Sequence, residues 1–480
     1  MKFSEKQVKI FTIVFFLLLY AFFYWYKISK YDLFYYQHDL FSVLSSAQGW
    51  IFGHPLWYDN RYGFTPAVHF SFIAPLLSVF TIFAGGKGLF LAHILIYFFA
   101  FYFMLFSKTG KNKSVQNLPV LIIFFMSPYA LWLFDDSYFG WHIELLFLPF
   151  SVFFALALLS KKWPLIIVSA LLLIFTKEDG SVIACCIQLL FIFSENSHKS
   201  INWKQVFKII SAWLSIFIVC LLVIKYFNDF KPSRIEITLS EFYHDERFFN
   251  GAYFRKILWH FIVLLFPLLV ISFFLLSRRN FLVLMLLMSP VIVTGIVSGL
   301  WYSGNTYLSV SWEPRFVEIM GVMLAGIFVL LNNQPGAHSF RHKLKLAMIT
   351  LCVLILQGVS LAIARDYNIF TEISQAAGSK RPDKMNLGDV AIMKCIAAKT
   401  PHDFNVAVPY EFFCLFDRND LTWFDGSKNA PQKNPDLVIL DDTLKFAENK
   451  FDYGEYRNEK KGKFYILLRK DKAFLNYDCK

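Results

Sequence analysis

Hydrophobic positions in this 480-residue chain fall into long blocks separated by short polar stretches. The blocks recur at the length of about 17–25 residues that an α-helix needs to cross a hydrocarbon core. They predict eleven spans, at about 10–26, 88–106, 118–134, 143–159, 164–176, 181–194, 208–225, 257–277, 280–298, 315–331 and 346–363. Segment 66–84 is also apolar, but its body is short and Pro66 and Pro75 interrupt it. It reads as a helix lying in the outer leaflet. Between the first two spans, HDLFSVLSSAQGWIFG carries Leu40, Val43, Leu44, Ala47 and Ile51 at helical spacing. That pattern predicts an amphipathic helix along the membrane surface, with Asp39 as its N-cap.

From about residue 364 the pattern changes. Alternating runs at 404–409, 436–441 and 463–469 predict strands, and 389–399 predicts a helix before them. The chain therefore divides into a helical membrane domain, 1–363, with a first outer loop at 27–87, and a small α/β domain, 364–480.

Charge sets the expected orientation. Basic residues cluster at Lys2, Lys6 and Lys9, at Lys108, Lys111 and Lys113, and at Lys161 and Lys162. They recur at Lys199, Lys204 and Lys208, at Arg278 and Arg279, and at Arg341, Lys343 and Lys345. By the positive-inside rule these mark the cytoplasmic side, which puts the N-terminus inside and loop 27–87 and the tail outside. The net charge of +12 is spread over these turns rather than pooled, which argues against a nucleic-acid partner. Composition agrees, with 56% hydrophobic residues and a mean hydropathy of +0.48. No small-residue cleavage site follows the first block, so it reads as an uncleaved helix. Seven cysteines are too few for a disulfide scaffold. Cys185, Cys186, Cys220 and Cys352 fall within predicted helices as packing residues. A Cys395–Cys414 bridge is open to a tail that faces an oxidising compartment.

The candidate chemistry gathers on the expected outer side. Lys177, Glu178 and Asp179 stand between two apolar runs, where charges either face a cavity and have work to do or form a solvated hairpin turn and pair among themselves. Asp39, beside His38, is a carboxylate at the mouth of that cavity, able to act as a general base or simply to cap its helix. His69 and His142 open apolar segments, either as packed or snorkelling residues at the interface or, together with Lys177, as an anion site. Arg315 follows Glu313 and Pro314 at a span end, placed either to pair with Glu313 or to clamp a phosphate. Asp135 and Asp136 are adjacent carboxylates that a divalent cation would accept, although such pairs are common at helix ends. Trp50, Trp57 and Trp141 belong to an aromatic outer surface suited to stacking on sugars or to anchoring at headgroups.

Taken in order, these residues resemble a bacterial family of large membrane proteins grouped with the GT-C superfamily of membrane glycosyltransferases. The resemblance rests on Asp39-Leu40, on His69-Phe70, on His142 and on Lys177-Glu178-Asp179. Val68 and Gly140 stand where the family pattern has acids, and Asp135 or Asp136 is placed to substitute for the second. The resemblance implies a GT-C-like polytopic α-helical fold and transfer of a sugar from a polyprenyl-phosphate donor to a glycan, lipid or protein acceptor on the extracytoplasmic face of a bacterial inner membrane. It assigns Asp39 as general base and Lys177, His142 and Arg315 as the donor-phosphate site. His69, Glu178, Asp179, His38 and Asp136 stand in support. A transporter or flippase of lipid-linked sugars, or a non-catalytic scaffold whose tail binds a partner, is the alternative. No cofactor is implied beyond a divalent cation.

Overall fold

The computed structural model describes residues 5–34, 36, 38–60, 63–67, 69–106, 141–195, 201–231, 269, 272–273, 276–302, 316–333, 387–422, 435–441, 455–472 and 479. The helical part contains α1 (Glu5–Asp32), α2 (His38–Gln48), α3 (Ser78–Phe106), α4 (Phe147–Ser160), α5 (Trp163–Thr176), α6 (Gly180–Glu195), α7 (Trp203–Phe227), α8 (Arg278–Tyr302) and α9 (Phe316–Asn333). Among the described residues, four stretches are long and apolar enough to cross a membrane: Ile10–Asp32, Ala74–Phe106, Ile143–Ser160 and Trp203–Phe227. Helices α5, α6 and α9 are apolar but shorter. The expected spans 118–134 and 346–363, and nearly all of 257–277, lie outside the described residues.

Helix α9 is the packing centre. Apart from Glu318 in its first turn and the asparagines at its end it is apolar, and residues 317–331 are buried along its length, as expected of a helix surrounded by others. It packs on α4, α6 and α8.

Two expectations about the loop after α1 are corrected. Helix α2 forms, but its apolar stripe does not lie on a membrane surface. Leu40, Phe41, Leu44 and Ala47 are buried in protein, against α3 and the C-terminal part, where Phe41 meets Phe413 edge-to-face at 5.3 Å. The helix begins at His38, so Asp39 stands in its first turn, where an acidic residue suits the helix dipole. Segment 66–84 is not one helix. Thr65–Ala67 is a separate 3-10 turn, and a second such turn, Ala74–Leu77, leads into α3 with Pro75 near its start. Helix α3 then breaks at Gly85, whose φ of 53° lies in the left-handed region that favours glycine. The expected boundary between surface helix and span is thus a break inside one element.

In the C-terminal part, α10 (Leu387–Lys399) precedes a five-stranded sheet. Its strands are β3 (Asn405–Ala407), β4 (Asp420–Leu421), β5 (Leu437–Asp441), β6 (Tyr456–Lys461) and β7 (Phe464–Arg469), in the order β4-β3-β5-β7-β6. β3 runs parallel to β4 and β5, while β7 is antiparallel to β5 and β6. A short hairpin, β1 (Tyr58–Asp59) with β2 (Gly63–Phe64), belongs to the first loop. The three expected strands are β3, β5 and β7. β4 and β6 lie at the sheet edges, and the sequence of β6, YRNEKK, has the charges that protect an edge from further pairing.

Cys395 on α10 is bonded to Cys479, not to Cys414. Cys414 is free and sits in the 3-10 stretch Tyr410–Leu415, which packs against both α10 and α2. The partner was set by where the end of the chain returns, which spacing does not reveal. Cys185, Cys186 and Cys220 are free within α6 and α7, and Cys352 lies outside the described residues.

Non-reducing peptide mapping is expected to recover a 395–479 cross-linked peptide and an alkylatable Cys414. A Cys395→Ser variant is expected to lose about 2–4 kcal/mol of tail stability. A 395–414 peptide would contradict the fold.

Candidate functional site

The charged triplet lies at the α5–α6 hairpin. Helix α5 ends at Thr176, and Lys177 continues in extended backbone. Gly180 then starts α6 so close to α5 that a Cβ there would stand 2.0 Å from the carbonyl oxygen of Leu173. The reversal is therefore tight, and Lys177 and Glu178 are nearly fully buried, each 2% exposed. Two opposite charges in such a place each need a partner.

They find different ones. Lys177 Nζ lies 3.1 Å from Glu144 Oε1 and 3.7 Å from Asp179 Oδ2. Glu144 is itself buried, in the 3-10 turn Ile143–Leu146 that leads into α4. Glu178 turns to the first loop. Its Oε1 is 3.2 Å from His69 Nδ1, and its Oε2 accepts the Phe70 N–H at 3.0 Å. The amides of Phe72 and Ile73 donate to the carbonyl of Phe175, at 2.8 and 3.1 Å. A carbonyl in the last turn of α5, which has no intrahelical donor, is thereby satisfied by the loop. Phe70 and Phe72 pack on each other and on Phe175. The loop is bolted to the hairpin through one carboxylate, one carbonyl and an aromatic cluster.

Burial alone would raise the Glu178 carboxyl. The charge of His69 and its hydrogen bond, with the nearby Lys177 ammonium, outweigh that and hold it down at about 2. Glu178 is thus an ionised acceptor. Asp179 keeps about a fifth of its side chain exposed, so of the two carboxylates beside Lys177 it is the one nearer solvent.

Four of the expected site residues come together here: His69, Lys177, Glu178 and Asp179. His142 joins them from just before the 3-10 turn, half-buried, with its ring and that of His69 within electrostatic reach of Glu144. Glu178 pairs with His69, and the carboxylates beside the Lys177 ammonium are those of Glu144 and Asp179. The side chains of His38 and Asp39 lie outside those described, and so do Asp135, Asp136 and Arg315. Among the described residues no group of three His, Cys, Asp or Glu side chains is arranged to hold a metal ion.

Of the aromatic candidates, Trp50 is exposed, while Trp57 donates its indole N–H to the carbonyl of Phe72 at 3.1 Å. Trp141 is not a surface residue but is fully buried. Sequence reasoning missed Glu144. Its signal was a carboxylate at the head of an apolar block, two residues after His142, where an ionisable group asks for a partner.

Because the folded Glu178 value lies below the ordinary 4.5, its stabilising contribution is complete above about 4.5 and is lost as the pH falls toward about 2. Glu178→Gln is expected to cost on the order of 3 kcal/mol at neutral pH. The gap between variant and wild type should close over that acid window, as followed by thermal unfolding in micelles. A gap that stays constant would contradict the ion pair.

Comparison with protein families, curated proteins and solved structures returns no match to this chain.

Proposed function

We propose that this chain is an inner-membrane glycosyltransferase of GT-C type, with eleven spans, a cytoplasmic N-terminus and its first loop and tail on the extracytoplasmic face. The observation that carries this reading is the convergence of three distant stretches, 69–73, 142–144 and 175–180, on one buried chain of charges. A cationic group held between carboxylates suits a ligand whose negative charge grows during reaction.

In this scheme the donor is a polyprenyl-phosphate sugar. Its phosphate approaches Lys177 from the Asp179 side, where the contact is longer and more open than the buried one to Glu144. His142 and Arg315 complete the phosphate site. Asp39 takes the proton of the acceptor hydroxyl as that oxygen forms a bond to the anomeric carbon. The bond between that carbon and the phosphate oxygen breaks, and polyprenyl phosphate leaves with the electron pair, its charge met by Lys177. His69 and Glu178 hold the loop carrying Asp39 against the hairpin, with His38 and Asp136 in support. The linkage of Cys395 to Cys479 supports a tail in an oxidising compartment.

One observation favours a second reading. Lys177 already has two carboxylate neighbours, as a purely structural clamp would. In that case the chain is a transporter of lipid-linked sugars or a scaffold.

The test is release of lipid phosphate from a panel of radiolabelled polyprenyl-phosphate sugars, with and without EDTA. Asp39→Ala is expected to lower turnover by about 10²–10⁴-fold, the usual contribution of a general base, while the protein stays folded. Full turnover by that variant would remove Asp39 as the base. Binding of the lipids without release from any donor would move the assignment to the transporter or scaffold.

A further inference from the structure

The break in α3 is not closed by its own helix. A helix that resumes after a break begins with N–H groups that have no intrahelical acceptor. The Gly86 N–H donates at 3.0 Å to Asp417 Oδ2, from the C-terminal part of the chain. The Tyr31 hydroxyl, at the end of α1, donates to the same oxygen at 2.5 Å. The fit is close, since a Cβ at Gly85 would stand 2.2 Å from that carboxylate. Around it the tail grips the first loop at further points. Gln48 Nε2 donates to the carbonyl of Asp417 at 2.8 Å, and His54 Nε2 meets the Asp420 carboxylate at 2.8 Å. Phe34 packs edge-to-face on Phe412, as Phe41 does on Phe413. Asp420 is braced in turn by Asn405 of β3, which donates to it at 2.6 Å and accepts from Thr422 at 2.6 Å.

We propose that Asp417 is a latch by which the C-terminal sheet docks on the helical part, capping the break in α3 when docked and releasing that break and the first loop when undocked. The proposal does not depend on glycosyl transfer. It follows from a carboxylate that completes a helix belonging to another part of the chain, so the order of the break and the docking of the tail are one equilibrium.

That equilibrium responds to protons. The charged and titratable groups facing Asp417 are Tyr31 of α1, Lys87 of α3, and Cys414 and Arg418 of its own segment, while Asp32 of α1 faces Tyr31 and Cys414. Lys87 pairs directly with Asp32, at 2.8 Å. Burial raises the Asp417 carboxyl, and this outweighs the hydrogen bonds from Tyr31 and Gly86 and the charges of Lys87 and Arg418. A group whose value is raised in the docked state binds its proton more tightly there. Docking therefore strengthens as the pH falls through the raised value and weakens as the pH rises above it.

The experiment is hydrogen–deuterium exchange on the full chain in lipid nanodiscs between pH 7 and pH 4, corrected for intrinsic rates. Asp417→Ala is expected to raise exchange at least tenfold in peptides covering 83–90 and 410–422, while β5 and β7 stay protected. Asp417→Asn, neutral and of the same shape, is expected to keep the protection but lose the gain on acidification that the wild type shows. It decides the matter if the alanine variant does not fold. Unchanged exchange at 83–90 in Asp417→Ala, loss of protection in β5 and β7 as well, or the same pH response in wild type and Asp417→Asn would each overturn the latch.

Discussion

A buried charge has to meet an opposite one, and the arrangement of the helical part depends on that at one hairpin. Lys177 and Glu178 are neighbours in sequence and nearly fully buried. Removing both from water costs several kcal/mol for each ion unless the geometry returns it. Glu144 answers the lysine and His69 answers the glutamate. The two partners come from separate stretches earlier in the chain, so the hairpin fixes the start of α4 and the loop before α3 at once. The backbone contacts of Phe72 and Ile73 to Phe175 extend the same junction without charge.

The second junction lies between the helical part and the tail, and it has a different character. It is made of aromatic contacts, backbone groups and one carboxylate in a helix break. A helix end needs acceptors for its N–H groups, and here the acceptor comes from far along the chain. The two junctions share the first loop. Residues 69–73 meet the hairpin, while Gln48 and His54 meet the tail. This loop joins the buried charges of the hairpin to the C-terminal sheet.

Much of the site was legible because charges in an apolar run are conspicuous. Lys177, Glu178 and Asp179 stood out, as did His69 and His142 at the heads of apolar segments. Which charge would meet which was not legible, because pairing depends on how helices pack, and the packing surfaces all read alike as Leu, Ile, Val and Phe. Glu144 was passed over for the same reason. Asp417 carried no local signal at all, since an aspartate in a polar tail has no reason to be buried until the tail docks. The Cys395–Cys479 bond was hidden likewise, its partner chosen by the path of the chain's end.

The sequence by itself determined what period and hydropathy determine: that the described part is built of apolar helices, some of them long enough to cross a membrane, and that strands follow in the C-terminal part. Those are local consequences of which residues tolerate an apolar environment and at what repeat. Only the tertiary structure decided that α2 buries its stripe in protein, that α3 breaks at Gly85, that Lys177 meets Glu144, and that Asp417 reaches Gly86. The reason is physical. Local propensity acts over a few residues, while the partner of a buried charge or of an uncapped helix end is found in space, at separations along the chain that no periodicity encodes.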